Sequence, residues 1–209
     1  MPRSANPSAP GSSASPRHVT KASDVLVKPA LLIIDMISSW DFPDADKLLP
    51  HALAIAPRIA RLRLRCRRAG VPVIYANDNQ GRWRSDFRQL VERASAPQAP
   101  GAAITSLLAP SADDYFVLKP KHSGFFCTPL ELLLQQLQVG TLALTGVASD
   151  QCITTTAAEA RMRDYAVIVP ADCVASQSAR RNQAAIDHFR VVMKIATTPS
   201  ARLRLNRTA

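Results

Sequence analysis

The sequence predicts an α/β fold in three layers, α/β/α, around a mostly parallel central sheet. Three observations carry this. Short apolar runs alternate with helix-period segments from residue 30 onward. The clearest run, Ala30-Leu31-Leu32-Ile33-Ile34, is continuous rather than alternating, which suits a strand covered on both faces. Repeated strand–helix units of this length need crossovers that lay helices on both sides of a parallel sheet.

The elements come in this order. Residues 1–29 are rich in Ser, Pro and Ala, and Pro2, Pro7, Pro10 and Pro16 oppose a stable helix, so this segment reads as a disordered leader. It lacks the apolar core of a secretory signal. Its want of acidic residues before Asp24 is shared with transit peptides, but the prolines break the amphipathic helix such a peptide needs. The folded domain is expected over 30–199, with 200–209 as a basic C-terminal tail. After the first strand, Ile55, Ile59, Leu62 and Cys66 recur at steps of four, three and four and mark the core face of a helix. Pro57 predicts a kink or restart within it. Gly70 closes that helix and 71–75 is the second strand. Residues 79–112, with Pro97, Pro100 and Pro110, read as a long loop around one short helix. Strands at 115–118, 141–145 and 166–169 then alternate with helices at 130–137, 153–163 and 180–193, and a last edge strand is expected near Ile195.

Composition bounds the function. At 209 residues, 47% apolar and 20% charged, the chain is expected to be one soluble domain, neither fibrous nor disordered. No apolar run approaches the ~20 residues of a membrane span, so no membrane partner is expected. Four cysteines are too few for a disulfide scaffold and match no zinc spacing, which points to a reducing cytoplasm and free thiols. Much of the net charge of +10 lies between Arg58 and Arg93, where ten arginines face three acidic residues. Such a stripe could bind nucleic acid. No aromatic residues interleave the run from Arg58 to Arg68, so the solvated face of an amphipathic helix is preferred and no nucleic-acid partner is expected.

In parallel α/β sheets ligands collect beyond the carboxyl ends of the strands. That rule singles out Asp35, Asn77–Asp78, Lys119 and the segment 146–152. Cys152 falls at the predicted first turn of a helix, where unpaired amides and the helix dipole stabilise a thiolate; a buried structural cysteine is the alternative. Asp35 closes an apolar strand and needs a partner if it is buried as a carboxylate. Lys119, at the end of another strand, is the natural one. Cys66 and Cys173 read as packing, while Cys127 lies in a turn near the expected cleft.

Leu31-Leu32-Ile33-Ile34-Asp35-Met36, Val117-Leu118-Lys119-Pro120-Lys121-His122-Ser123-Gly124-Phe125 and Leu144-Thr145-Gly146-Val147-Ala148-Ser149-Asp150-Gln151-Cys152 together resemble the isochorismatase-like cysteine hydrolase superfamily. The resemblance runs from about residue 30 to 197. It implies a Cys-Asp-Lys triad, with Cys152 as nucleophile, Asp35 as general base and later proton shuttle, and Lys119 as electrostatic partner; Lys121 is the runner-up for the lysine. It also implies a cis peptide between Val147 and Ala148, an oxyanion hole from the Ala148 and Cys152 amides, and a homo-oligomer. The substrate is expected to be a small molecule, an amide or ureide cleaved through a thioester. The open alternatives are vinyl-ether hydrolysis, a silent scaffold that uses the basic helix, and thiol redox chemistry at Cys127 and Cys152.

Departures from the superfamily narrow the expectation. Nicotinamidases within it hold a metal through an Asp-x-His motif, whereas this chain has Asp78-Asn79-Gln80 and only four histidines. Imidazole-poor sites suit transition metals badly, so no metal and no cofactor are expected. Asn77, Asp78, Trp83, Phe125 and Val147 are the candidate substrate-binding residues, with Trp40 and Phe42 as further aromatic candidates.

Overall fold

The computed structural model describes residues 25–26, 28–79, 81, 83 and 86–205. Strand β1 (Val25–Leu26) precedes β2 (Pro29–Ile34), helix α1 (Ala45–Arg68) and β3 (Val73–Asp78). Helices α2 (Phe87–Ser95) and α3 (Ala102–Leu108) lead to β4 (Tyr115–Lys119), then α4 (Leu130–Gln136) and β5 (Thr141–Val147). Helix α5 (Thr154–Met162), β6 (Ala166–Ile168), β7 (Val174–Ala175), α6 (Ala179–Asp187) and β8 (Arg204–Leu205) complete the order. The main sheet runs β4-β3-β2-β5-β6, with β7 pairing the far end of β5, and every pairing is parallel.

Alternation along the central strands divides the core in two, as a period of two requires. Leu31, Ile33, Val73 and Tyr75 face α1, α2 and α3, where they meet Ile59, Leu62, Leu90 and Ile104. Leu32, Ile34, Ile74 and Leu144 point to the other face, against Leu134, Ala157 and Ile186 of α4, α5 and α6. All six residues of β2 and all seven of β5 are buried, and β2 accordingly reads as an unbroken apolar run. The mostly parallel sheet between two helical layers is the expected fold class.

The chain steps from β2 outward to β3 and β4, then returns to the other side of β2 for β5. The strand order therefore reverses between β2 and β5, and a crevice opens at their carboxyl ends. Gly146 makes their close approach possible. It has φ +110°, and a Cβ there would stand 2.0 Å from the Ile34 carbonyl oxygen.

Several local expectations change. Helix α1 passes through both Pro50 and Pro57 as one element. The residue whose carbonyl Pro57 leaves without an amide donor, Leu53, lies on the solvent side, while Ile55, Ala56, Ile59 and Leu62 hold the helix to the sheet. The stretch expected to hold one short helix holds two. Asp86 caps α2 by accepting from the Gln89 amide at 2.9 Å. Near Ile195 the pairing is a single parallel bridge, Ile168 to Ala196, rather than a strand.

The basic face of α1 is also not simply solvated. Arg63 is buried and donates to the Tyr75 hydroxyl at 2.8 Å and to the carbonyls of Ala109 and Leu107 at 2.7 and 3.1 Å. Arg65 donates to the carbonyls of Ser200 and Leu203, and Arg67 pairs with Asp114. These arginines fasten the helix to its neighbours. Both terminal boundaries shift accordingly. β1 pairs with β8, Leu203 is buried, and the Ser200 hydroxyl donates to Asp172 at 2.7 Å, so residues 200–205 belong to the folded body. Most of the leader, residues 1–24 and 27, and the end of the tail, residues 206–209, lie outside the described residues. Among the described residues no helix is long and apolar enough to cross a membrane.

Candidate active site

Asp35 comes directly after β2 and takes a left-handed backbone, φ 55°, which turns the chain away from the strand axis at the crevice. Its amide stays on the sheet, donating to the Ala76 carbonyl at 3.0 Å. Its carboxylate is held from two sides: the Asp78 amide donates to Oδ1 at 2.8 Å and the Lys119 ammonium lies 2.9 Å from Oδ2.

Lys119 ends β4, reaches under this carboxylate and is fully buried. Its ammonium also donates to the Lys121 carbonyl at 3.3 Å and to Cys152 Sγ at 3.5 Å, and Asp78 Oδ2 stands 3.6 Å away. Burial alone would lower the lysine pKa, but Asp35, the Cys152 sulfur and Asp78 together hold it above its ordinary value. A cation this deep is tolerated only because those partners surround it, since an unpaired buried charge costs several kcal/mol. Lys121 is exposed and contributes only its carbonyl. Of the two lysines, Lys119 occupies the crevice.

Cys152 lies in a wide π-type turn, Ser149–Ile153, that joins β5 to α5. The Val147–Ala148 peptide bond that precedes the turn is cis. The Cys152 sulfur accepts from the Lys119 ammonium at 3.5 Å. Burial and the Asp35 carboxylate push its pKa up, with Lys119 opposing them. The thiol is therefore protonated at rest, contrary to the thiolate expected from a helix N-terminus. The regular helix begins only at Thr154, and removal from water outweighs what the turn's amides supply.

The crevice opens into a cavity of about 570 Å³ lined by Asp35, Asp78, Val147, Ala148 and Cys152. Of the other candidate binding residues, Asn77 is buried and donates to the Ile37 carbonyl at 2.7 Å, bracing the loop after β2 rather than facing the cavity. Trp83 is 78% exposed and does not line it. Phe125 is buried in the α4–α6 layer, stacked on Tyr165 with the Arg163 guanidinium 4.9 Å over its ring. Phe42 lines the cavity, whereas Trp40 packs against Phe42 and against Gly101, where a Cβ would collide with the indole. Gln80, at the position of the metal-site histidine, lies outside the described residues.

Other wall residues are not among the candidates. Asp41, Asp44, His122, Gln151, Gln177 and Arg181 all line the cavity. The Arg181 side chain is oriented by Asp150 at 2.6 Å, and Asp150 accepts from the Ser176 hydroxyl at 2.5 Å. Although burial opposes it, the hydrogen bonds from Ser176 and Arg181 hold the Asp150 carboxyl below its ordinary value. His122 could have been found from sequence, since it stands three residues after Lys119 in a loop at a strand end. Among the described residues, no group of three or more His, Cys, Asp or Glu side chains is arranged to hold a metal ion.

Comparison with known proteins shows the family. Residues 29–200 match the Isochorismatase domain. Over 157 residues the chain is 38% identical to the uncharacterized isochorismatase family protein YaaI of Bacillus subtilis, covering 75% of this chain and 86% of that protein. It is 29% identical over 163 residues to maleamate amidohydrolase of Pseudomonas putida, covering 75% and 76% of the two chains. Among solved structures, N-carbamoylsarcosine amidase of Thermoplasma acidophilum superposes with a TM-score of 0.62 at 28% identity, covering 83% of this chain and 97% of that one.

Proposed function

The chain belongs to the isochorismatase family of hydrolases, and from that premise we propose that it cleaves the C–N bond of a small amide or ureide through a Cys152 thioester. The observation that carries this reading is the convergence of Asp35, Lys119 and Cys152 at the ends of β2, β4 and β5. Asp35 and Cys152, from distant parts of the chain, line a single cavity, and the fully buried Lys119 cation contacts both. The names of the maleamate and N-carbamoylsarcosine relatives place C–N cleavage within this family.

The chemistry starts from the resting charges. Asp35 takes the proton of the Cys152 thiol as sulfur attacks the carbonyl carbon, and Lys119 offsets the negative charge that moves from oxygen to sulfur. The amides of Ala148 and Cys152 receive the oxyanion. The proton on Asp35 then passes to the departing nitrogen, the C–N bond breaks, and the acyl group remains on sulfur. Water cleaves the thioester and restores the thiol. A homo-oligomer belongs to the same proposal.

The test is a screen of maleamate and N-carbamoyl amino acids for ammonia release, with intact-mass detection of an acyl group on Cys152. Turnover should fall roughly 10³-fold or more in Cys152→Ser and in Asp35→Asn, because members of such a unit fail together. Amide turnover that survives Cys152→Ser would overturn the thioester reading.

A further inference from the structure

Deepening the amide-hydrolase reading, on which it rests, we infer that Arg181, with Gln177 beside it, selects a substrate that carries a carboxylate at the end away from the scissile amide. The observation is an arginine with one edge held and the other left over. Arg181 Nε donates to Asp150 Oδ2 at 2.6 Å. Among the described residues its terminal nitrogens, Nη1 and Nη2, have no hydrogen-bond partner, and the side chain lines the same cavity as Cys152.

The position is built from the interior outward. The Ser176 hydroxyl, on a buried residue, lies 2.5 Å from Asp150 Oδ1 and 2.8 Å from Gln177 Oε1. Asp150 belongs to the turn that carries Cys152, so the carboxylate that orients the arginine is part of the nucleophile's own turn. Arg181 stands in the first turn of α6, where its amide donates to the Ser178 hydroxyl at 3.2 Å. Gln177 lines the cavity too, and with its oxygen turned to Ser176 its amide nitrogen is left as a donor. A planar guanidinium edge and a neighbouring N–H donor, at the positive end of a helix, match the two oxygens of a carboxylate.

Charge and shape limit the occupant. Among the described residues that line the cavity, Arg181 is the one with a permanent positive charge. The acids of the wall are engaged elsewhere. Asp35 and Asp78 face Lys119 at 2.9 and 3.6 Å, Asp44 accepts from Lys47 at 2.7 Å, and Asp41 accepts from the Ser39 hydroxyl at 2.6 Å. Ile37, Phe42, Pro43 and Leu48 give the cavity an apolar side, which suits a short hydrocarbon spacer. The substrate class is therefore an ω-carboxy amide. Its hydrolysis consumes one water, releases one ammonia or amine and leaves a dicarboxylate.

The experiment takes two readouts on Arg181, Arg181→Met and Arg181→Lys proteins, all in a Cys127→Ser background. The first is ammonia release from succinamate, glutaramate and adipamate, each against its neutral diamide. With Arg181 present, at least one acid should exceed its diamide in kcat/KM by about 10- to 100-fold, the range of one charge-assisted contact. That ratio should fall to about 1 in Arg181→Met, through KM rather than kcat, and be partly kept in Arg181→Lys. The second readout needs no turnover: alkylation of Cys152 by iodoacetamide, followed by peptide mass at matched ionic strength. Succinate, glutarate or adipate should slow it at least about fivefold where the diamides do not, and Arg181→Met should lose that protection. Acids and diamides cleaved alike, a preference that survives in Arg181→Met, or no protection by any of the three dicarboxylates overturns the role of Arg181 and leaves the thioester reading standing. Amide turnover that survives Cys152→Ser overturns the thioester reading, and the protection pattern then decides the carboxylate site by itself.

Discussion

The Lys119 ammonium stands 2.9 Å from Asp35 Oδ2 with its side chain entirely out of solvent, while the Asp35 side chain keeps 17% of its exposure. The two charges are unequal in what they need from each other. Asp35 retains some water and an amide donor from Asp78. Lys119 has only its protein partners, so the ion pair exists on terms set by the lysine.

Lys119→Met should therefore disable catalysis yet cost less stability than the Asp35 substitution that strands the cation. Breaking a buried pair by removing one partner costs about 3–5 kcal/mol. We expect Asp35→Leu in the upper part of that range and Lys119→Met below it, because Asp35 can rehydrate. The Asp35→Leu/Lys119→Met double variant should be less destabilised than the sum of the singles. Urea unfolding of the four proteins measures the coupling, and strict additivity would show that the two groups do not depend on each other.

Stability should decline on the alkaline side. Burial pushes the thiols of Cys66 and Cys173 up to about 12, and burial with Asp35 raises Cys152 as well. The folded chain thus keeps thiol protons above ~8.5, where the unfolded chain releases them. The contribution is complete below ~8.5 and is lost as pH rises through the folded values. Each buried thiol loses roughly 2 kcal/mol of stabilisation by about pH 10. Thermal melts from pH 7 to 10 should show Tm falling, and a Cys66→Ala/Cys173→Ala variant should show a shallower slope, whatever its absolute Tm.

Sequence patterning located the sheet and the strand-end positions of Asp35, Lys119 and the turn before Cys152 for the same reason. Strands covered on both faces must be continuous apolar runs, and the chain turns polar where each run leaves the sheet, so Asp35, Lys119 and the turn before Cys152 stand out. The cavity wall was much less legible. Phe125 looks like a cleft aromatic because it adjoins Gly124, but the hydrogen bond from Gly124 to Thr156 folds that turn inward and places the ring in the core. Arg63 falls in a basic run, yet its carbonyl partners come from residues 107 and 109, across a long separation that no local pattern encodes. Arg181 and Asp44 reach the cavity through such tertiary placement as well.

Thiol labelling should track exposure first. Cys127 is exposed, Cys152 is 8% exposed with its pKa raised, and Cys66 and Cys173 are sealed in the core layer against α1. With substoichiometric iodoacetamide at pH 7.5, Cys127 should be modified first and Cys152 second, while the other two remain unmodified until the chain unfolds. In a Cys127→Ser background, Asp35→Asn should speed the alkylation of Cys152, because the carboxylate is one cause of its raised pKa. If Asp35→Asn slows it, the carboxylate assists alkylation as a proton acceptor.

Gly146→Ala should damage both the fold and the site, and the two losses have one origin. At φ +110° an L-residue is strained, and the new Cβ would lie 2.0 Å from the Ile34 carbonyl oxygen and 2.9 Å from the Ile34 amide nitrogen. Backbone cannot swing aside as a flexible side chain can, so β5 must part from β2 at the point where Ile34 pairs with Gly146. Strain at such φ and overpacking each cost of order 1–3 kcal/mol. The next residue after β2 is Asp35, and the residues after Gly146 are Val147, Ala148 and the turn that carries Cys152. Separating the strands therefore separates Asp35 from Cys152. We expect Gly146→Ala, if it folds, to lose activity at least about 10²-fold, since a 1 Å misplacement can cost that much. Ala143→Gly, three residues earlier on the same strand, should lose stability by roughly 1 kcal/mol while keeping activity. Comparing urea midpoints and turnover for the two variants separates loss of sheet stability from loss of alignment, and equal activity losses would place the effect in stability alone.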